Sequence, residues 1–465
     1  MADLRIQGII MRNFTLLFIT IFNLELHSQC WKSISVGNSN SFAIKQNGTL
    51  WAWGYNSNGV LGNDATNDLN IPSQIGTGNN WQSLFSGSNC TFALKTDGTL
   101  WGWGLNNNGQ LGDGTYTNKT IPTLISNETN WLSIDSKEGH TLAIKTDGTL
   151  WAWGANYYGQ LGDDTYVNRN TPTQIGTDNN WQKISAGRFH SFAVKKDGTL
   201  WVWGYNSNGQ LGDGTYTDKK IPTKIGTDNN WLSVEAGIFH TIAIKTNGTI
   251  WAWGTNSYGQ LGDGTLISRN TPVQTGSASD WLEIFAGDSH SIAKKTNGSL
   301  WTWGLNDYGQ LGDGTFISKN IPTQISNNNE WLNIEASYHT ISLKTDYSLW
   351  TWGGSFYGQL GDGNNANVNI PILISCPNLE IENIEYNNVS YLFPNPCKDY
   401  LEINLKNEFS EDTIAEFYNE VGQICRIDYL KNKHTKIELN DLSSGIYFVK
   451  IKTKNETITK KLIKI

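Results

Sequence analysis

Trp31, Trp81, Trp131, Trp181, Trp231, Trp281 and Trp331 stand 50 residues apart along the chain. A Trp-x-Trp pair follows each: Trp51/Trp53, Trp101/Trp103, Trp151/Trp153, Trp201/Trp203, Trp251/Trp253, Trp301/Trp303 and Trp350/Trp352. The last pair comes one residue early because the seventh copy has lost a residue near Ser337. These seven sets account for all 21 Trp of the 465 residues. The tryptophan excess is therefore architectural, and no aromatic binding box needs to be invoked for it. A fixed period of this length is the signature of a repeat fold.

One repeat reads as four short strands. Trp181 to Ala186 alternates apolar and polar residues, and so does His190 to Lys195. Asp197-Gly198 between apolar runs predicts a two-residue hairpin, both residues accepting positive φ. Leu200 to Trp203 returns, and a Gly-rich stretch leads to Ile221-Pro222-Thr-Lys-Ile225. Pro222 suits a strand's start or edge. Four antiparallel strands in seven copies describe the blades of a closed all-β propeller, since one blade cannot bury both faces alone. The copies end in Trp-Gly, unlike WD-type blades, and only Gly353-Gly354 offers the Gly-Gly pair of kelch blades.

The motifs Gly187-x-x-His190-Ser-x-Ala-x-Lys, Asp197-Gly-Thr-Leu-Trp-x-Trp-Gly204 and Asn206-x-x-Gly-Gln-Leu-Gly-Asp213-Gly carry a resemblance. They resemble the repeat of the regulator of chromosome condensation family, over residues 31 to about 375. The resemblance implies a seven-bladed β-propeller, expected over residues 30–375. It implies no single activity, because the family includes exchange factors, ubiquitin-ligase accessory domains and secreted protein inhibitors; function has to be argued from a site. Closure is expected to involve a blade of mixed N- and C-terminal strands, which the sequence does not identify.

Composition changes after Trp352, and from Cys376 onward Lys, Glu, Ile and Tyr dominate. Tyr391-Leu-Phe-Pro394-Asn-Pro396, Leu401-Glu-Ile-Asn-Leu405, Tyr418 to Gly422, Leu442 to Ile451 and the terminal Lys-Lys-Leu-Ile-Lys-Ile465 follow in order. They resemble the type A C-terminal sorting domain of the type IX secretion system. That implies a small β-sandwich over residues 391–465, after a linker at 376–390, and export across the outer membrane of a Bacteroidetes-type bacterium. At the other end, Arg12 and the apolar run Phe14 to Phe22 predict a signal peptide within residues 1–29, with Met11 the better start. No later run is long enough for a membrane span in the mature form.

The net charge is −8 and no Lys/Arg block occurs, which argues against nucleic acid as a partner. His140, His190, His240, His290 and His339 recur at one blade position, with Asn40 and Cys90 in the first two copies. A structural hydrogen bond to neighbouring backbone explains them better than a metal, whose ligands must converge. The Gly-Asp-Gly-Thr loops at Asp113, Asp213, Asp263 and Asp313 lack the ligand spacing of a calcium loop and read as turns. No catalytic motif, metal site or cofactor fingerprint is found. Cys30 and Cys376 flank the repeats, so ring closure brings them together, and a disulfide there is expected to staple the ring. Cys397 and Cys425 are candidates for a second pair, leaving Cys90; the alternative is five free thiols.

Strand direction puts the Gly-x-x-His and Asn-x-x-Gly loops on one face. Their variable positions differ among copies: Arg188-Phe189, Ile238-Phe239, Asp288-Ser289, Tyr157-Tyr158, Ser257-Tyr258, Asp307-Tyr308 and Phe356-Tyr357. The opposite loops repeat almost unchanged. Exposed aromatics on loops of a rigid scaffold are binding material. Arg188, Phe189, Ile238, Phe239, Tyr157, Tyr158, Tyr258, Tyr308, Phe356 and Tyr357 are therefore the candidate binding residues. The expected function is a monomeric, non-enzymatic scaffold, secreted or held at the outer membrane, that binds an extracellular protein or glycan. Residues 391–465 would engage the type IX machinery. The alternatives are a propeller hydrolase or lyase acting on extracellular polysaccharide, and an intracellular guanine-nucleotide exchange factor, which the export signals disfavour.

Overall fold

The computed structural model describes residues 30–326, 330–377, 389–393, 397–405, 412–419, 422–453 and 457–464. The expected signal peptide and most of the expected linker lie outside these residues. The chain divides into two compact units between Pro377 and Asn378.

The first unit is a seven-bladed propeller of seven four-stranded antiparallel sheets. Blade 4 is representative, with strands Trp181–Ala186, His190–Lys195, Leu200–Gly204 and Lys219–Lys224 in order from the axis outward. Every blade is made of consecutive strands, so none mixes the two ends of the chain. That corrects the expectation of a mixed blade. The ring closes instead by side-chain packing of Trp31, Trp53, Ile341 and Leu349 between blades 1 and 7. The Cys30–Cys376 disulfide spans the same junction, with Cα atoms 5.9 Å apart. Lys45 Nζ adds a 2.6 Å hydrogen bond to the Pro377 carbonyl there.

The hairpin inside each blade differs from the two-residue turn. Lys195 N–H donates to Thr199 O and Gly198 N–H to Lys195 O, leaving a three-residue loop. Only Gly198 takes positive φ, at 75°. Asp197 stays on the ordinary side and caps the loop, accepting from Thr199 N–H and Oγ1 at 3.0 and 2.6 Å. This is a type I turn closed by a left-handed glycine.

The three Trp of a repeat do different work. The first of each Trp-x-Trp pair donates Nε1 to its own blade, as Trp201 does to Thr199 Oγ1 at 2.9 Å. The second crosses to the preceding blade: Trp203 Nε1 donates to Gln160 O at 2.8 Å. The inner-strand Trp packs edge-on against that pair, as Trp181 does against Trp201 at 5.9 Å. A lysine from the second strand lies over these rings in every blade, with Lys195 Nζ 4.0 Å from the Trp201 centroid. Desolvation is offset there by the ring quadrupole and by Asp178 at 2.6 Å.

A repeated network ties blade to blade. The Gln160 carbonyl accepts from both Trp203 Nε1 and Ser191 Oγ of the next blade, each at 2.8 Å. Because that hydroxyl spends its proton on Gln160, it accepts from His140 Nε2–H at 3.0 Å. His240 meets Ser291 Oγ and His339 meets Ser41 Oγ in the same way, at 3.2 and 2.6 Å. His290 reaches Thr340 Oγ1 at 3.5 Å. Four of the five histidines thus pair with hydroxyls of the next blade and not with the backbone, whereas His190 finds no hydrogen-bond partner among the described residues and packs its ring edge-on against Phe192 at 5.3 Å. Burial pushes their pKa values down, to about 4 for His140 and about 3 for His240, His290 and His339. Gly212 serves the same seam: a Cβ there would stand 2.6 Å from the Trp253 indole nitrogen.

The second unit is a small β-sandwich. A three-stranded sheet of Val389–Phe393, Tyr400–Leu405 and His434–Glu438 faces a four-stranded one of Ile424–Tyr429, Ile414–Tyr418, Gly445–Lys452 and Thr457–Lys464. Both sheets contribute to one core, including Leu401, Ile403, Phe417, Tyr447, Val449 and Leu462. The expected Cys397–Cys425 pair is corrected here. Both thiols are free, because Cys397 is buried in that core while Cys425 is exposed on an edge strand.

Candidate binding face and axial channel

In each blade the loop between the first two strands and the loop between the last two emerge at the same end. Both sets of variable loops therefore share one face. The long loop is braced from within. In blade 4, Asn206 Oδ1 accepts from Leu211 N–H at 3.0 Å, and its Nδ2 donates to Asp213 at 3.1 Å. Asp213 also accepts from Thr215 and pairs with Lys219 at 3.2 Å. Burial would raise its pKa, yet these donors hold it below the usual carboxylate range. The Gly-Asp-Gly-Thr aspartates are turn braces. Gly214 N–H and O then bond Asn270 of the next blade, so each loop is latched at both ends.

On this base the structure gathers some of the candidate residues and leaves others apart. Tyr158 packs on Phe189 at 5.2 Å and on Tyr205 at 4.8 Å, and Tyr205 reaches Phe239 at 6.5 Å. The Arg188 guanidinium lies 5.1 Å from the Phe189 ring and 5.8 Å from that of Phe239. Its Nε stands 3.7 Å from Glu138. Blades 3, 4 and 5 thus share one aromatic cluster with a cation in it. Tyr308–Phe356 and Tyr55–Tyr357 form two smaller pairs, at 5.0 and 4.9 Å. Tyr157 stands apart, 60% exposed, its hydroxyl bonded to Asn108 Oδ1. Tyr258 is exposed, and Ile238 is bound at the backbone, donating N–H to Asp288 O.

Sequence reasoning missed Tyr205 and Tyr55. Both follow Trp-Gly at a position that varies among copies, so comparing copies there would have found them. It also missed an outer row on consecutive blades, with Tyr116, Tyr166, Tyr216, Leu266 and Phe316 all exposed.

The axis holds a third unread group. A cavity of about 100 Å³ runs between the inner strands and is lined by Asp135, Glu235 and Glu335, among others. These residues share one repeat position, which carries Ser35, Phe85, Ser185 and Phe285 in the other blades. Asp135 accepts from Ala186 N–H at 2.8 Å, as Ser35 does from Ser86 and Ser185 from Ala236. Burial raises Asp135 to about 6 and Glu335 to about 8. Glu235 is pushed well above the ordinary range by burial and by its two carboxyl neighbours.

Comparison with known proteins agrees with this architecture. The RCC1-like domain family matches residues 18–238. The regulator of chromosome condensation (RCC1) repeat matches 247–293, 297–342 and 347–385, and a second description of that repeat matches 231–260 and 282–310. The secretion system C-terminal sorting domain matches residues 391–465. Among solved structures, human WBSCR16 is 22% identical with a TM-score of 0.62, covering 70% of this chain and 93% of its own. Yeast RCC1 (Prp20), solved bound to Kap60, is 18% identical with a TM-score of 0.63, covering 78% and 87%. Prp20p of Saccharomyces cerevisiae, in a study of its binding to Gsp1p and histones, gives 20%, 0.62, 78% and 90%. At these identities the likeness establishes the fold alone. No curated protein matches the chain. The sorting domain marks the protein for export by the type IX system, to the medium or the cell surface. With its repeats, blades and tail all accounted for, the chain belongs to the regulator of chromosome condensation repeat family and ends in a secretion sorting domain.

Proposed function

We propose that this protein is a non-enzymatic binding scaffold, working as a monomer outside a Bacteroidetes-type cell, whose Gly-x-x-His face engages an extracellular protein or glycan. The observation that carries this reading is the Tyr158–Phe189–Tyr205–Phe239 cluster with Arg188 among its rings. Aromatic and arginine side chains on braced loops lose little entropy on binding and offer large contact area. The tail supports a partner outside the cell, where Prp20p's partner Gsp1p offers no guide.

The axial carboxylates do not favour the hydrolase reading. Their cavity of about 100 Å³ is below the ~300 Å³ at which small-molecule pockets begin. The test is a panel of extracellular glycans and purified surface proteins, screened against the full chain and against a Tyr158→Ala, Phe189→Ala, Phe239→Ala variant. Binding lost at least about thirtyfold in the variant supports the reading, on the scale of one hot spot of about 2 kcal/mol. Binding unchanged by the three substitutions overturns it.

A further inference from the structure

The mouth of the axial channel carries one residue that breaks the repeat. Lys137 stands where five other blades have Gly37, Gly87, Gly187, Gly237 and Gly287. Its side chain leaves blade 3 and crosses to the far side of the ring. Nζ donates to Ala236 O at 3.2 Å and lies 3.7 Å from Asp288 Oδ1. Asp288 is fixed by Ser337 Oγ at 3.0 Å and donates its N–H to Ser337 O. Two residues before Lys137 on the same strand, Asp135 faces the channel that Glu235 and Glu335 also line. Lys137 thus holds one set of oxygens at the mouth and lines the same cavity as a second set, the three carboxyls.

We propose that the axial channel is a pH-responsive latch: with Glu235 and Glu335 protonated Lys137 bars the mouth, and when they ionise the ammonium is drawn down and the mouth loops are released. The balance is simple. Each carboxyl gives its proton to water, and the negative charge left behind competes for Lys137 against one neutral carbonyl and one aspartate. Asp135 already spends an oxygen on Ala186 N–H, whereas Glu235 and Glu335 line the channel with like-charged neighbours and a longer reach. Other charges face this group from every side that has them. Glu138 stands beside Lys137, Lys183 and Arg188 act from blade 4, Asp288 from blade 6, and Tyr338 from blade 7. His190, His240 and His290 lie behind the mouth and stay neutral, so they add no titration in this range. Blades 1 and 2 contribute only uncharged Asn38, Ser86 and Ser88.

The latch does not depend on which ligand the face takes. It is tested by hydrogen exchange of the full chain, on peptides spanning Ser136–Gly139 and Gly287–Ser289, corrected for intrinsic base catalysis. Between about pH 6 and about pH 9 protection should fall at least about tenfold, with a midpoint near the Glu335 value of about 8. Glu235→Gln with Glu335→Gln should stay protected throughout, since the amide imitates the protonated acid. Lys137→Met should exchange fast at every pH. Glu335→Gln alone should move the midpoint away from about 8, because the group titrating there is gone and Glu235 is left with one like-charged neighbour fewer. A flat wild-type profile, a wild-type fall in the double variant or in Lys137→Met, or an unmoved midpoint in Glu335→Gln overturns the latch.

Discussion

The seams between blades and the axis they surround follow opposite rules. At the seams one network recurs: Gln carbonyl, Trp indole, Ser or Thr hydroxyl, and histidine. Along the axis the same strand position holds Ser, Phe, Asp, Ser, Glu, Phe and Glu in turn. The seam must be solved once and copied, because each blade meets an equivalent neighbour and any misfit recurs around the ring. The axis is a single shared space. Seven identical side chains would crowd it, so divergence there carries no packing penalty and leaves room for chemistry. Regularity in this chain marks support, and its loss marks the places that can act.

The first way to break this contrast is to titrate it. Seam histidines are held neutral by burial, so their folded pKa lies below the unfolded ~6.5. The unfolded chain then binds more protons, and stability is complete above about 6.5 and falls as the pH drops toward 4 and below. Each histidine contributes up to about 1.4 kcal/mol per pH unit in that window. The axial glutamates do the reverse: their folded pKa is raised, so stability falls as the pH rises from the unfolded ~4.3 to about 8. Chemical denaturation across pH should give a maximum near neutrality, and Glu235→Gln with Glu335→Gln should flatten the alkaline limb and steepen the acid limb above about 4.3. A second test sets a repeated seam residue against one from the divergent strand position. Trp203→Ala should cost about 3–5 kcal/mol, while Phe285→Ala, half-buried where it packs on the core between blades 6 and 7, should cost roughly half as much.

Two smaller changes sharpen the same point. Replacing Cys30 and Cys376 with Ala should cost about 2–4 kcal/mol, read as a lower denaturant midpoint with a steeper slope, since the released unfolded chain exposes more surface. The seam between blades 1 and 2 is the imperfect copy. Val60 stands where the other blades have Gln, and Trp103 Nε1 finds no acceptor among the described residues. In the other blades the Gln side chain accepts a backbone N–H, as Gln160 Oε1 does from Tyr158 at 2.9 Å. Val60→Gln would add that bond but bury an Nε2 that finds no partner in Gln110, Gln160 and Gln210 among the described residues, so it should cost about 1 kcal/mol or more, and a gain in stability would mean that the seam reorganises around the amide.

What could be read from the sequence follows the same division. The blades were legible because tryptophan, a rare and bulky residue, repeats at a fixed spacing, and Pro222 and its counterparts mark the outer edge. The aromatic face was legible in part: Phe189, Phe239 and Tyr158 stood out as differences between copies, while Tyr205 hid behind the invariant Trp-Gly. The axis was not legible. Asp135, Glu235 and Glu335 sit at alternating positions of an inner strand, where a polar residue reads as solvent-facing. Only closing the ring turns that side toward an enclosed channel, 100 residues of sequence separating each carboxylate from the next. Cys397 and Cys425 failed for a related reason, since which side of a strand faces the core is a property of the folded sandwich.

The clasp at the ring junction also has a mechanical meaning. Cys376 is the next-to-last residue of the propeller unit, and its sulfur is bonded to the start of blade 1. A pull exerted through the chain beyond Pro377 would otherwise peel the outer strand Val368–Ile374 from blade 7 one hydrogen bond at a time. With the clasp in place, tension divides at Cys376 and part of it enters through Cys30 at the inner strand Trp31–Val36, beside the axis. That strand can yield only by dragging its whole blade. Any pull applied through the tail would thereby load the closing junction of the ring and not the outer edge of blade 7 alone.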